Sequence, residues 1–317
     1  MFPASLLKKL ASPLTSHLSQ MESRLLKETE QNRILAAQPL IQNIKKMGAL
    51  DCLADAEFKV FSQWGEDGII QYLISKTAIK KKVFVEFGVE NYSESNTRFL
   101  LVNDNWTGLV IDSNPEYIKH IRSQEYYWKY DLTAVCGFVT VDNINDLIKN
   151  AGVTGSIGIL SIDIDGNDYW IWDTISVVSP QIVIVEYNSS FGNQRAVTIP
   201  YQPDFNREKA HFSHLYWGAS LAAFCRLASQ KGYIYVGSNS AGSNAFFVHK
   251  DSLSNIKECD FQKYFSQSKF RDSRDENGNL AFVSGQNKLE MIKNMQLLDL
   301  EANQIMQIKD IYQKFDE

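Results

Sequence analysis

Three apolar segments that each end at an acidic residue constrain the fold of this chain more than any other feature. They span residues 83–89, 108–112 and 159–166, and the first contains the motif Glu-Phe-Gly near its end. The acids are Glu86, Asp112 and Asp163. Short apolar runs of this kind are typical of strands that are buried on both faces of a parallel sheet. Three of them in order therefore predict such a sheet, with carboxylates along one edge.

Strands and helices alternate from about residue 58, which indicates a mostly parallel sheet with helices on both faces. The predicted strands are 83–89, 108–112, one within 134–141, 157–163, 181–187, 233–236 and 245–249. The predicted helices are 114–124, 143–150, 169–176 and 214–231. The last two strands flank a turn-forming segment, so we expect a hairpin whose final strand inserts antiparallel into the sheet. That ending is typical of the Rossmann-like, seven-stranded class I methyltransferase sheet, and not of the nicotinamide-binding sheet.

The chain divides into three segments. Residues 1–57 predict a helical N-terminal extension, 58–250 the main domain, and 251–317 a mainly helical C-terminal extension. Apolar residues of the first segment recur at spacings of three and four, as on one face of an amphipathic helix. They are Leu7, Leu10, Leu14, Leu18, Met21 and Leu25. This face is expected to pack on the main domain or on a second copy, which leaves a homo-oligomer through the N-terminal helices open.

The composition is that of an ordinary soluble globular chain, with 44% hydrophobic and 22% charged residues. The formal net charge of −5 argues against a nucleic-acid or anionic-membrane partner, since both bind clustered Lys and Arg. No segment reaches the roughly 18 consecutive apolar residues of a membrane span, and the N-terminus lacks the apolar region of a secretory signal. The four cysteines form no Cys-x-x-Cys pair and are expected to be buried free thiols. We therefore expect a cytoplasmic protein.

The loop after the first strand limits the choice of cofactor. Ligands of a doubly wound sheet bind beyond the carboxyl ends of the strands, where Glu86, Asp112 and Asp163 are expected. Residues 88–91 contain one glycine, so the loop lacks the Gly-x-Gly-x-x-Gly pattern that lets a pyrophosphate approach a helix. A cofactor without phosphates is favoured, and S-adenosylmethionine (SAM) fits, with Asp112 placed to accept from its ribose hydroxyls. An NAD-dependent oxidoreductase is the disfavoured alternative.

Two motifs at the fourth and fifth strands carry a family resemblance. They are Leu160-Ser-Ile-Asp-Ile-Asp-Gly-Asn-Asp168 and Ile182-Val-Ile-Val-Glu-Tyr-Asn188. Upstream, Phe61-Ser-Gln-Trp-Gly-Glu-Asp67 contains a Ser-Gln-x-x-x-Asp element. Together these motifs resemble the FkbM-type methyltransferase family over about residues 58–250. The chain departs from the family pattern with Asp165 and Asp168 where Glu is usual, and with Asn188 where His is frequent.

The resemblance implies a SAM-dependent methyltransferase, commonly an O-methyltransferase of sugars, glycans or other hydroxylated natural products. The SAM sulfonium is already a strong electrophile, so transfer to a hydroxyl needs in-line positioning and a base. The candidate catalytic residues are Asp163, Asp165, Glu186, His211 and His214. The candidate cofactor-binding residues are Gln63, Glu86, Gly88, Asp112 and Asp163. The spacing of the two histidines is expected to place both on one helical face near the pocket mouth.

Aromatic and amide residues between 187 and 218 suit a sugar, which has an apolar face and a polar rim. The candidate substrate-binding residues are Tyr187, Asn188, Arg195, Tyr216 and Trp217. A divalent metal such as Mg²⁺ is a second hypothesis, because hard oxygen ligands are expected to converge at adjacent strand ends. Its candidate ligands are Asp163, Asp165, Glu186 and Asn188. The pattern Asp165-Gly-x-Asp168-Tyr169 is also similar to metal-dependent sugar O-methyltransferases of the macrolide type.

The function that these features favour is O-methylation of a hydroxyl on a sugar-containing acceptor, such as a nucleotide sugar, a glycan precursor or a glycosylated natural product. A lipid, polyketide or peptide acceptor is the alternative for the same fold. A non-catalytic SAM-fold scaffold in a biosynthetic complex is the alternative from another class, and the three strand-tip acids disfavour it.

Overall fold

A seven-stranded sheet forms the centre of the protein. The computed structural model describes residues 4–312, with side chains from residue 17 onward except those of Ser19 and Ser23. The strands are β1 (Val83–Phe87), β2 (Thr107–Asp112), β3 (Leu132–Cys136), β4 (Gly155–Ile162), β5 (Val178–Glu186), β6 (Val197–Thr198), β7 (Tyr233–Ser238), β8 (Asn244–His249), β9 (Gln296–Asp299) and β10 (Gln304–Gln307). The central sheet has the order β3-β2-β1-β4-β5-β8-β7, and a small second sheet has the order β10-β9-β6.

The direction of the strands identifies the fold class. Strands β1 to β5 run parallel, and β8 runs antiparallel between β5 and β7. The reversed strand comes from the β7–β8 hairpin that the sequence predicted. This order with this reversal is the Rossmann-like class I methyltransferase sheet, so the predicted fold class is confirmed. The carboxyl ends of β1, β2, β4 and β5 meet at one edge, which is where such sheets bind ligands.

Helices cover both faces of the sheet. They are α1 (Ala4–Lys46), α2 (Glu66–Lys76), α3 (Arg98–Asp104), α4 (Pro115–Ser123), α5 (Glu125–Lys129), α6 (Ile144–Asn150), α7 (Asp168–Thr174), α8 (Arg207–Ala210), α9 (Leu221–Gln230), α10 (Asn287–Met291) and α11 (Ile308–Ile311). Neighbouring strand residues bury into opposite layers. Phe84 lies in one core with Leu73 of α2, and Val85 lies in the other with Ile171 of α7. Both layers therefore hold the sheet edge in a fixed position.

Helix α9 begins later than the sequence predicted. The expected helix 214–231 starts only at Leu221, where the Ser220 hydroxyl accepts a hydrogen bond from the Ala223 N–H at 3.1 Å. A serine in this role is a common helix start. Upstream, His214 has a left-handed φ of 58°, which is incompatible with continuing a helix. Residues 211–219 therefore form an irregular loop.

The N-terminal helix α1 packs on the domain through its second half. Ala37, Ile41 and Ile44 are buried there. Leu18 and Met21, from the predicted apolar face, are about half exposed, at 56% and 49%. Leu25 is exposed in the same way, while Leu7, Leu10 and Leu14 lie outside the residues whose side chains are described. This part of the predicted face does not pack on the main domain.

The segment after β8 differs from the mainly helical extension that was expected. Within residues 251–312, the described helices are the single 3₁₀ turn Lys250–Ser252, α10 and α11. Leu297 and Leu298 belong to strand β9 instead, which pairs antiparallel with both β6 and β10. A short apolar run of this kind fits either a helix or a strand. In the structure it forms a strand, because it pairs with β6 on one side and with β10 on the other.

Two further sequence expectations can be compared with the described residues. Across residues 4–312, every helix is either too short or too polar to traverse a bilayer. The four cysteines are free, as predicted, but Cys52 and Cys136 are exposed and the other two are partly buried. The expected burial of all four thiols is therefore wrong, because apolar neighbours in sequence do not fix the direction of a side chain.

Candidate active site

A cavity of about 770 Å³ opens at the carboxyl edge of the sheet. It extends from the ends of β1 and β2 to the ends of β4 and β5. The predicted site residues that line it are Gln63, Glu86, Gly88, Asp112, Asp163, Asp165, Glu186, Tyr187, Asn188 and Trp217. Arg195, His211, His214 and Tyr216 are not among its lining residues. The structure therefore brings most of the predicted residues together around one space.

Glu86, at the end of β1, is held by four hydrogen bonds from the protein's own donors. Its carboxylate accepts hydrogen bonds from the Ser95 hydroxyl at 2.6 Å, the Asn96 N–H at 2.9 Å, and both the N–H and the hydroxyl of Thr97. Burial raises the pKa of Glu86, and these hydrogen bonds oppose the rise. Glu86 therefore fixes the turn at residues 95–97 as a wall of the cavity.

Gly88 allows the loop after β1 to touch the loop after β4. Its φ of +69° is the left-handed conformation that glycine adopts without strain. A Cβ atom at this position would lie 1.6 Å from the carbonyl oxygen of Asp163. Only glycine fits here, because any side chain would collide with the Asp163 backbone.

Asp112, at the end of β2, is held rigidly at the cavity. Its Oδ1 accepts from the Asn114 N–H and its Oδ2 from the Glu90 N–H, both at 2.8 Å. Burial raises the pKa of Asp112, and these two bonds oppose it. Each carboxylate oxygen has two acceptor positions, so each can accept one further hydrogen bond. That arrangement suits a ligand with two neighbouring hydroxyl groups.

Asp163 and Glu186 form a pair of carboxyl groups at the ends of β4 and β5. Both side chains line the cavity, and they lie close enough for the charge of Asp163 to act on Glu186. Burial raises the pKa of both groups well above the ordinary carboxyl range, and the negative charges of Asp165 and Asp168 add to the rise. Glu186 Oε2 is buried and has no hydrogen-bond partner within residues 4–312. The pair therefore has an acceptor position that no side chain of the described protein fills.

Arg207 supplies positive charge beside this pair, although it is not among the predicted site residues. One Nη atom of Arg207 contacts Asp165 at 2.8 Å, and its Nε donates to the His214 carbonyl at 2.7 Å. Its guanidinium lies over the Trp217 ring, 4.9 Å from the ring centre. Asp165 and Glu186 raise the pKa of Arg207. Arg207 follows an irregular loop with no motif, so no local sequence signal identifies it.

Two other acids of the family-like motifs organise loops. Asp168 accepts hydrogen bonds from the N–H groups of Ile164 and Gly166, each at 2.9 Å. Asp67 Oδ2 accepts from three successive N–H groups, those of residues 60 to 62, at 2.7 to 2.8 Å. Burial raises the pKa of each acid to about 6, despite these bonds. Both acids stabilise loops next to the cavity, and neither of them lines it.

The two histidines do not form the predicted helical pair. His211 Nδ1 is hydrogen-bonded to the Ser213 hydroxyl at 2.8 Å, within a turn that ends at His214. His214 adopts a left-handed backbone conformation, and neither histidine is among the residues that line the cavity. The prediction that they lie at the pocket mouth as a base is therefore corrected.

Arg195 and Tyr216 are also engaged outside the cavity. Arg195 is exposed and lies 3.6 Å from Asp299 of β9. The Tyr216 hydroxyl donates to the Gln296 carbonyl. Both contacts involve the small second sheet, whose pairing the sequence did not predict. Their assignment as substrate-binding residues is therefore corrected.

The predicted metal ligands all line the cavity, but other groups of the protein already engage two of them. Asn188 donates to the carbonyls of Leu215 and Trp217 at 3.2 and 3.0 Å, and its Oδ1 accepts from the Ser190 N–H at 3.0 Å. Asp165 is paired with Arg207. Within the described range, no three His, Cys, Asp or Glu side chains are arranged to hold a metal ion. Asp163 and Glu186 alone do not make the predicted four-ligand Mg²⁺ site, so this hypothesis is corrected.

Exposed aromatic rings at the cavity come from loops that the sequence analysis did not connect. Trp64, Phe138 and Phe270 are 42%, 49% and 45% exposed and line the cavity. Trp64 and Phe270 are edge to face, with ring centres 6.1 Å apart. Tyr187, by contrast, is buried, and its hydroxyl donates to the Ser266 carbonyl. The accessible apolar surface therefore lies at the mouth, on residues distant in sequence.

Comparison with known proteins finds only solved structures that are distantly similar to this chain. No protein-family model and no curated protein matches the chain. Solved structures with a related fold include the N-terminal domain of EvdMO1 with S-adenosylhomocysteine (SAH) bound, at 8% identity and a TM-score of 0.34, covering 54% of this chain and 74% of that one.

Two other solved structures are similar to a comparable degree. The O-methyltransferase from Bacillus cereus in complex with SAH is 13% identical, with a TM-score of 0.33 over 53% of this chain and 74% of that one. The fibrillarin pre-rRNA processing protein of Methanococcus jannaschii is 9% identical, with a TM-score of 0.36 over 61% of this chain and 76% of that one. Likeness this distant carries no functional argument. The strand order assigns this chain the fold of SAM-dependent methyltransferases.

Proposed function

We propose that this protein is a SAM-dependent O-methyltransferase that acts on a hydroxyl of a sugar-containing acceptor, such as a nucleotide sugar, a glycan precursor or a glycosylated natural product. The observation that carries the proposal is the position of the Asp163–Glu186 pair. It faces the same cavity as Asp112, at the ligand-binding edge of a class I methyltransferase sheet. One cavity thus contains a place for the cofactor and a proton acceptor.

The β1–β2 side of the cavity is the proposed SAM half. Asp112 retains one acceptor position on each oxygen for the two ribose hydroxyls. Phe138, which follows β3, offers an exposed ring to the adenine. The loop at Gly88 contacts Asp163 closely and has no glycine-rich turn for a pyrophosphate. A nucleoside without phosphates fits these features.

The β4–β5 side is the proposed reaction half. The acceptor oxygen attacks the SAM methyl carbon, the S–CH₃ bond breaks, and the electron pair of that bond remains on sulfur as SAH. The hydroxyl proton is transferred to Glu186, with the Asp163 carboxyl group beside it. Glu186 is suited to this role because it lines the cavity and because burial raises the pKa of its carboxyl group. Arg207 limits the negative charge of the site.

Two features support a sugar-containing acceptor. Trp64 and Phe270 present exposed rings at the mouth, and the surrounding groups are polar, which matches a sugar ring and its hydroxyl rim. The FkbM-type resemblance of residues 160–168 and 182–188 favours the same substrate class. A cytoplasmic role in glycan biosynthesis, and self-association through α1, complete the proposal.

Two measurements, made one after the other, test the proposed function. Isothermal titration with SAM and SAH determines whether the cofactor binds, with Asp112→Asn as the weakened variant. A screen with methyl-labelled SAM then covers sugar nucleotides and glycan intermediates, with EDTA or added Mg²⁺ in parallel arms. We expect labelled product from a sugar-containing acceptor and equal rates in both arms. Absence of SAM binding at millimolar concentration would rule out the proposal.

A further inference from the structure

Lys288 is a buried cation that the proposed methyl transfer does not use. It lies in α10, is 7% exposed, and lines the cavity. Its Nζ donates one hydrogen bond, to the carbonyl of Phe270 at 2.5 Å. An ammonium group has three protons to donate, so two remain without an acceptor in the part of the chain that the structure describes.

No acidic side chain of the described residues pairs with Lys288. Ion pairs within 4.0 Å are formed by other residues nearby: Asp165 pairs with Arg207, and Asp272 pairs with Arg274. Arg207 repels Lys288, and together with burial it lowers the lysine pKa. Burial of a charge without a counter-charge is costly, and a like charge adds to that cost. A missing anion is the simplest physical reason for a lysine in this position.

Arg207 has capacity to share such an anion. Its Nε and one Nη atom are bonded to His214 and Asp165, and its second Nη atom makes no hydrogen bond to the described protein. Both Arg207 and Lys288 line the cavity, as does Asn206, which precedes α8. Arginine and lysine together are a common means of binding phosphate and carboxylate groups.

We propose that Lys288 and Arg207 form an anion subsite, which binds a phosphate or carboxylate group of the acceptor. The assignment of this anion to the acceptor rests on the proposed methyltransferase function. The subsite lies near the acid pair through Arg207, so an anion held there places the rest of the molecule toward Glu186. It also explains how a cavity whose charged lining residues are mostly acids accepts a negatively charged substrate, because that charge is bound beside the two cations.

The test uses full-length protein and inorganic anions as probes. Thermal unfolding is measured with phosphate or acetate, against chloride at equal ionic strength, for the wild type and for Lys288→Met. Lys269→Met is the matched control, because Lys269 is exposed and is not a cavity residue. We expect phosphate or acetate at about a hundred times its Kd to raise the wild-type Tm by about 2 °C or more. The same rise is expected in Lys269→Met, and no rise in Lys288→Met.

The anion-free proteins separate a ligand-binding lysine from a structural one. Without added anion, Lys288→Met is expected to unfold at the wild-type Tm or above it, because the substitution removes an unpaired buried charge and keeps the aliphatic stem. A lower Tm for Lys288→Met, or an equal anion response in all three proteins, overturns the proposal. So does the absence of any anion response in the wild type.

A SAM titration of Lys288→Met separates this inference from the proposed function. Unchanged SAM affinity together with a lost anion response supports a subsite for the acceptor. Weaker SAM binding in the variant shows that the anion is the SAM carboxylate, which overturns this inference while the methyltransferase function stands. If the wild type fails to bind SAM, the methyltransferase function fails, and the anion response then reports on the subsite alone.

Discussion

The acids on the two sides of the cavity have opposite surroundings. On the β1–β2 side, Glu86 accepts four hydrogen bonds and Asp112 accepts two, all from the protein itself. On the β4–β5 side, Asp163 and Glu186 face each other, and Glu186 Oε2 is buried without a partner in the described chain. Carboxylates with backbone donors shape the loops, whereas carboxylates without donors are available for chemistry.

This difference shows that an acid at a strand end does not reveal its role by position alone. All four acids follow apolar strands and look alike in the sequence. Their roles are set by whether the next loop turns its N–H groups toward the carboxylate. Substitutions of acids on the two sides should therefore have different consequences for stability and for methyl transfer.

Glu186→Gln is expected to have the largest effect. The amide cannot take the acceptor's proton, so kcat should fall by about 10²- to 10⁴-fold, the range typical of a lost general base. The SAM dissociation constant should change by less than about threefold, because the proposed cofactor contact at Asp112 lies on the other side. Single-turnover transfer of labelled methyl and SAM titration measure the two quantities. Glu258→Gln, at an exposed position, is the control; an unaltered kcat in Glu186→Gln would exclude Glu186 as the base.

Glu86→Gln tests the other side by stability. The amide nitrogen would face the N–H donors of residues 96 and 97, so the free energy of unfolding should fall by about 2–3 kcal/mol. The same change at Glu186 should cost less than about 1 kcal/mol, since no donor is lost there. Urea unfolding of both variants provides the comparison. Equal losses of stability would contradict the proposed division between structural and chemical acids.

The pH dependence of methyl transfer follows from the raised pKa values of the acid pair. The base must be ionised, so kcat/KM should fall as pH decreases, by about tenfold per unit below the pKa. Because burial and mutual charge raise that pKa, the fall should begin well above pH 4.5, the ordinary value for Glu. A pH–rate profile measures it, with the residual activity of Glu186→Gln expected to lack this limb. A wild-type profile that stays flat down to pH 4.5 would argue against the pair.

Asp112→Asn should have the smallest of these effects. The amide loses acceptor capacity toward the ribose, so SAM affinity should weaken by about tenfold, or about 1.4 kcal/mol. The kcat at saturating SAM should remain close to that of the wild type. Isothermal titration and saturation kinetics separate the two. A large loss of kcat with unchanged affinity would place Asp112 in the reaction half and remove the contrast drawn above.

The sheet and its acidic edge could be predicted from the sequence, because both depend on local patterns of residues. Apolar runs identify β1, β2, β4 and β5, and the carboxyl ends of parallel strands must meet at one edge. The hairpin of β7 and β8 was predictable for the same reason, since its turn is encoded between its strands.

The sequence was insufficient where a side chain's role depends on distant backbone. In the sequence Asn188 looks like a metal ligand, but in the structure its amide nitrogen donates to the carbonyls of Leu215 and Trp217. His214 was expected to belong to a helix that begins only at Leu221. Lys288 lies 81 positions from Arg207 in the chain, and no motif connects them. Each of these placements is set by loops that fold over the sheet edge.

The contact between Gly88 and Asp163 has a consequence for how such a site can diversify. A substitution at residue 88 would push the two loops apart, and so would disturb cofactor binding and the acid pair in one step. A substitution at residue 88 is therefore expected to change the β1–β2 side and the β4–β5 side of the cavity together. Trp64, Phe270 and Lys288 also line the cavity, on other segments of the chain. Under the proposed function, substitutions of Trp64, Phe270 and Lys288 would therefore change which acceptor binds, while the base of the cavity stays unchanged.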